Sequence, residues 1–137
     1  MAASVMFSMS GVNKQRFIDA VKNAAALVLS TPVYKASYAG ALKAVVDLIP
    51  PDALVGRPML GIATLRLPLH SAEVDLALRA LFGFFRARPL DTLVVLDGDV
   101  HVGDPPRLQA AAEERVRQSA RALVAAVGEA APALANP

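Results

Sequence analysis

Three short, unbroken apolar runs constrain this chain more than anything else in it. They are AALVLS at residues 25–30, PMLGIAT at residues 58–64 and TLVVLD at residues 92–97. Runs this short with no polar alternation fit strands covered on both faces, as in a parallel sheet. The stretches around them carry a helical period instead. Phe17, Val21 and Ala24 share one stripe of a helix from Lys14 to about Asn23, with Asn13 as its cap. Leu42, Val45, Val46 and Ile49 form the inner stripe of a helix from Gly40 to about Leu48, stopped by Pro50-Pro51. Val74, Leu78, Leu81 and Phe85 do the same for a helix that Ser71 caps, with Glu73 and Asp75 near its positive end. A last helix is expected to open at Asp104-Pro105, bury Leu108, Ala112, Val116, Leu123 and Val127, and end at Gly128. Residues 130–137 read as a frayed tail.

Helices and strands thus alternate along the whole chain. That order predicts an α/β fold of three layers, a parallel sheet with helices on both faces. In such sheets ligands bind beyond the carboxyl ends of the strands. The loops at those ends begin at Thr31, Thr64 and Asp97. At 137 residues the chain suits a single domain.

Composition narrows the function. Hydrophobic residues make up 55% and charged residues 19%, which excludes a disordered chain. With no cysteine there is neither a disulfide framework nor thiolate chemistry. The net charge is only +2, and the arginines at 107, 115, 117 and 121 alternate with Glu113 and Glu114 as a solvated helix face does. Nucleic-acid binding is therefore not expected. No uncharged apolar run is long enough to span a membrane, and MAASVMFSMSG has no basic start to a signal peptide. A cytoplasmic setting is the expectation. DGDVHVGD at residues 97–104 departs from a calcium loop, because His101 stands at the third acidic place. With His70 and His101 the only histidines, no metal site is expected. There is no Gly-x-Ser-x-Gly elbow and no Walker loop.

The segment TPVYKASYAGALKAVVDLIP, after the first apolar run, resembles the NAD(P)H-dependent FMN reductases of the flavodoxin-like fold. The likeness is strongest to the reductase branch of the two-component alkanesulfonate monooxygenase systems. Its residues are Thr31, Pro32, Tyr34, Ser37, Gly40, Leu42 and Lys43, and it extends from about Phe17 to about Asp97. The resemblance implies an oxidoreductase that passes hydride from NADPH to FMN and supplies reduced flavin to a partner monooxygenase. It also implies a homo-oligomer. Backbone groups of Pro32, Val33, Tyr34 and Lys35, with Ser37, would line the flavin edge, and Thr64 and Leu65 the other wall. Tyr38 matches a tyrosine at a subunit interface linked to flavin release. No catalytic side chain is implied, because the cofactor carries the chemistry.

Two departures stand against the family pattern. Its Gly-Ser-x-Arg-x-x-Ser loop, which holds the FMN phosphate at a helix N-terminus, has no match here. SMSGVNKQR at residues 8–16 is the nearest stretch, with the wrong spacing. The chain reads as a partial flavodoxin-like domain carrying the last three strands, which leaves AALVLS as a bare edge. Hydrogen bonds to a charged phosphate contribute about 1.5–3 kcal/mol each, so losing three or four would weaken FMN binding by several powers of ten. Second, Leu65-Arg66 stands where the family has a glycine pair, and Arg66 is a candidate for a phosphate of NADPH. The rival reading is a degenerate, non-catalytic flavodoxin-like module that docks on another protein.

Overall fold

The computed structural model describes residues 11–134. Its elements are α1 (Gly11–Asn23), β1 (Leu27–Tyr34), β2 (Ser37–Tyr38), α2 (Gly40–Val46), β3 (Pro58–Leu65), α3 (Ser71–Phe84), β4 (Arg88–Pro89), β5 (Leu93–Leu96), β6 (Val100–His101), β7 (Arg107–Leu108) and α4 (Ala110–Leu134). The three apolar runs form a parallel sheet. β3 is its middle strand, with Leu27 to Pro32 of β1 opposite Met59 to Thr64, and Leu93 to Leu96 of β5 opposite Ile62 to Leu65. β4 pairs with the start of β3, so β4 and β5 together make one interrupted strand.

Alternation along β3 divides the core. Met59, Ala63 and Leu65 point to the side where Val21 of α1, Val46 of α2, and Val74, Leu78 and Phe82 of α3 are buried. Leu60 points to the other side, toward α4. Of the stripe read for α2, Leu42, Val46 and Ile49 pack on the core but Val45 does not join it, and the helix ends at Val46; the α3 stripe faces the core, with Val74 and Leu78 fully buried. Arg57 ties α1 down: its guanidinium donates to the carbonyls of Val21 and Ala24, at the helix C-terminus.

β1 is covered unevenly. Leu27 is buried and Leu29 and Val33 pack on the core, but Val28, on the opposite face, is 48% exposed and Ser30, Pro32 and Tyr34 share that face. Its outer edge pairs only with β2, at Val33↔Tyr38 and Tyr34↔Ser37. Among the described residues no strand lies against that edge from Leu27 to Pro32.

Several boundaries differ from the sequence reading. Pro32 does not end β1, which runs on to Tyr34; an edge strand tolerates a residue with no N–H. α1 already includes Gly11, so Asn13 lies inside its first turn. Ser71 is the first residue of α3, not its cap, and its hydroxyl donates back to the Pro68 carbonyl at 2.8 Å. Asp104-Pro105 does not open the last helix. Val100 and His101 pair with Leu108 and Arg107 in a short antiparallel ribbon, and α4 starts at Ala110. Gly128 does not end α4, which runs to Leu134. Ala126 and Ala130 are buried on either side of that glycine, so packing holds the helix past it. The stretch read as a tail from residue 130 is helical as far as Leu134, and residues 135–137 lie outside the described residues.

Candidate functional site

The segment after β1 does not loop loosely into α2. It doubles back as a tight hairpin whose two tip residues are Lys35 and Ala36. Their φ angles are 52° and 65°, so both occupy left-handed backbone, as a two-residue type I′ turn requires. Neither is the glycine or asparagine that adopts this conformation readily, so the turn is strained. Pro32 is the last residue of β1 opposite β3, facing Thr64. The hairpin therefore projects beyond the carboxyl end of β3.

Thr31 pins its base. Thr31 Oγ1 accepts the Ala39 N–H at 2.9 Å and donates to the Pro32 carbonyl at 2.8 Å. Ala39 is in turn the N-cap residue of α2, with its carbonyl accepting from Leu42 and Lys43. Ser37, lying in β2, does not cap that helix.

Strand alternation splits the residues expected to bind a cofactor. Pro32, Tyr34 and Ser37 fall on the uncovered face of the sheet, and Thr64, level with Pro32, falls there too. Tyr34 is 65% exposed. Val33, Leu65 and Tyr38 fall on the core side, where Leu65 is buried and Val33 and Tyr38 are packed. Lys35 is exposed at the tip, and Arg66 is exposed just past β3. The structure thus brings four of the residues expected at the cofactor together on one open shelf and turns two, Val33 and Leu65, inward along with Tyr38, expected at a subunit interface.

Two concavities lie away from this shelf. One, of about 620 Å³, runs between β5 and α4 and is lined by Asp91, Thr92, Arg115 and Gln118 among others. The second, of about 520 Å³, lies between α2 and α3, with Tyr38, Lys43, Val46, Asp47 and Phe84 in its wall. Phe84 is 65% exposed and stands edge-on to Phe85, ring centroids 5.1 Å apart. Lys43 Nζ and Asp47 Oδ1 pair at 2.6 Å on its rim. The hydrogen bond from Lys43 to Asp47 and that charge raise the lysine pKa.

The acidic loop at residues 97–104 is committed internally. Asp99 Oδ2 accepts the Leu96 N–H at 2.9 Å and pairs with Arg115 at 2.5 Å. Among the described residues no three His, Cys, Asp or Glu side chains cluster as metal ligands, and no helix is long and apolar enough to cross a membrane. The stretch at residues 8–16, weighed as a phosphate loop, lies partly outside the described residues. From Gly11 on it is α1. The sequence reading missed Thr31 as a structural pin. The available signal was its place: it follows Leu27 and Leu29 on the inward-facing register, where a polar residue needs a partner.

A parallel sheet between helix layers, with a shelf at the strands' carboxyl ends, defines a flavodoxin-like α/β protein. The match to known families is more specific. Residues 9–103 fit the model of the NADPH-dependent FMN reductase family, and the chain belongs to that family. It is 38% identical over 109 residues to an FMN reductase (NADPH) of Pseudomonas putida, covering 77% of this chain and 55% of that protein. It is 39% identical over 74 residues to the FMN reductase (NADPH) of Escherichia coli, covering 54% of this chain and 39% of that protein. The NADH-dependent FMN reductase SfnE of Pseudomonas putida is 37% identical over 108 residues, 79% of this chain and 58% of its own length. The chain therefore spans about half the length of these curated relatives. Among solved structures, an oxidoreductase of Corynebacterium diphtheriae matches with a TM-score of 0.77 at 28% identity, over 93% of this chain and 69% of that one. The apo form of the NADH:FMN oxidoreductase EmoB matches at 0.65 and 27%, over 90% and 60%.

Proposed function

We propose that this chain is the ring-side part of an NAD(P)H-dependent FMN reductase, an oxidoreductase that delivers reduced flavin to a partner monooxygenase. The observation that carries the reading is the shelf at the carboxyl end of the sheet, where Pro32, Tyr34, Ser37 and Thr64 share one open face. An exposed aromatic ring and a strained turn beside it offer a flat apolar surface and outward-facing backbone groups, which suit the edge of a planar ring. The reaction would move a hydride from the nicotinamide of NADPH to the flavin, with a proton from solvent completing the two-electron reduction. This chain's part is to hold the two rings in contact and exclude water, and it needs no acid or base of its own.

Val33, Leu65 and Lys35 enter the reading differently. The first two shape the shelf from behind, and Lys35 offers its backbone groups at the tip. Arg66 leaves the same end of the sheet and is read as a cation for a phosphate of NADPH. The phosphate grip itself is read as coming from outside the described residues, against the bare edge of β1, so that these residues form one partial domain. An oligomer belongs to the proposal, with Tyr38 at its contact. The support is the apolar groove beside Tyr38 and the exposed Phe84 on its wall. The setting is read as cytoplasmic.

The test is an FMN titration followed by flavin fluorescence. Binding at micromolar concentrations, with NADPH oxidation that depends on FMN, is the expected result for a chain supplied with its phosphate contacts. Absence of binding at hundreds of micromolar, both alone and with the amino-terminal half of a relative added in trans, would sink the reading.

A further inference from the structure

We infer that Thr31 is a positioning residue for the flavin shelf: its hydroxyl locks the Lys35-Ala36 hairpin in the strained form that presents Tyr34 and Ser37. This rests on the proposed flavin site and adds a residue to it that no ring contact requires.

The inference starts from a balance the hairpin cannot meet alone. β2 contributes only Ser37 and Tyr38 to the pairing. Two-stranded ribbons are marginal in water even when longer. This one also carries two residues with side chains in left-handed backbone. Such strain persists only where the surroundings over-determine it. Val33 and Tyr38 help by packing on the core, yet they fix only the inward side. What closes the base is Thr31, 1% exposed and the one buried polar residue among those described.

Its geometry suits that task. The hydroxyl spends its proton on the Pro32 carbonyl and receives the Ala39 amide, so it spans from the last paired stretch of β1 to the start of α2. Both ends of the hairpin are thereby joined through one oxygen. The Ala39 N–H is buried and has no other partner among the described residues, so losing the hydroxyl leaves it unsatisfied. Relief would come from opening the hairpin base toward water. That movement would displace Tyr34 and Ser37 relative to Thr64 on β3.

The experiment compares Thr31→Val with Thr31→Ser, each in the chain supplied with its phosphate contacts. Valine keeps the shape and removes the hydrogen bonds; serine restores the hydroxyl. Two readouts are taken, the exchange rate of the Ala39 amide by NMR and the FMN dissociation constant. In the valine variant Ala39 should exchange about tenfold faster or more and FMN should bind about tenfold more weakly. The serine variant should recover both, whereas a general loss of stability would not be rescued in the FMN constant alone. Wild-type values of both in the valine variant would overturn the inference. If Thr31→Val fails to fold, the wild-type protein decides: an Ala39 amide that exchanges as fast as that of Lys35 at the exposed tip overturns it, and a protected one upholds the pin. Should wild type bind no FMN, the flavin reading falls, while the Ala39 exchange rates still judge the hairpin lock separately.

Discussion

Leu78 of α3 sits so close over Gly61 of β3 that a β-carbon on the glycine would lie 2.8 Å from Leu78 Cδ1. Thr92 Oγ1 and Phe82 Cζ would follow at 3.4 and 3.6 Å. Leu78 and Phe82 are both completely buried, so neither can swing aside. Gly61→Ala is therefore expected to destabilise by about 1–3 kcal/mol, against the usual small gain from replacing glycine inside a strand. Urea unfolding checks it: the midpoint should fall with an unchanged slope. A midpoint at or above wild type would mean that α3 is not seated this tightly on the sheet.

The same helix is tied to the sheet edge by charge. Arg79 pairs with Asp75 at 2.8 Å within α3 and with Asp91 at 2.8 Å before β5. Burial pushes the Asp75 carboxyl up, but the Thr92 hydroxyl and amide and the Arg79 guanidinium outweigh it, and the group titrates below the usual 3.8. Asp75 Oδ1 and Thr92 Oγ1 are buried with no hydrogen-bond partner among the described residues, so the direct contact behind the lowering is the Arg79 pair at 2.8 Å. A depressed folded-state pKa means stability that is present above about pH 4 and is lost as pH falls through the folded value. Asp75→Asn should cost on the order of 0.5–1 kcal/mol at pH 7, a small figure because the side chain is one-third exposed. The difference from wild type should shrink toward pH 3. A gap that stays constant from pH 7 to pH 3 would assign the loss to packing instead.

Arg57 supports a third expectation. Its guanidinium satisfies the Val21 and Ala24 carbonyls at the end of α1, a charged donor on the negative end of a helix. Arg57→Met keeps the stem and removes the donors. A loss of about 1–2 kcal/mol is expected, concentrated in α1. Hydrogen exchange should quicken at residues 17–24 and stay unchanged in β3. Uniform quickening would make Arg57 a general packing residue.

The parallel sheet was legible because its strands are unbroken apolar runs and its helices carry clean stripes, as with Val74, Leu78, Leu81 and Phe85. Turn chemistry was not. Lys35 and Ala36 carry none of the residue signals of a left-handed turn, so nothing in the sequence announced a hairpin. The ribbon of Val100, His101, Arg107 and Leu108 is too short to leave a period. Gly128 and Ser71 misled for a common reason: both are local end signals, and tertiary packing around α4 and the Pro68 carbonyl beside α3 prevailed over them. That the expected residues lie beyond the carboxyl ends of the strands was legible from strand order. The division of these residues between two faces follows from the two-residue period of β1, once the strand is known to continue past Pro32.

That continuation sets up the last expectation. The tip of the hairpin holds Lys35 at φ 52° and Ala36 at φ 65°, where asparagine followed by glycine is the favoured pair. Lys35→Asn with Ala36→Gly should relieve the backbone strain, offset in part by the greater freedom glycine gives the unfolded chain. The net expectation is a gain of roughly 0.5–1 kcal/mol in unfolding free energy. Because the shelf is read as using backbone at the tip, FMN affinity should hold within about threefold, well under the tenfold that a lost charged contact brings. A stable variant with FMN binding reduced tenfold would show that the Lys35 ammonium touches the ligand. A destabilised variant would show that the tip is not in the left-handed form at all, and the lock at Thr31 would then have nothing strained to hold.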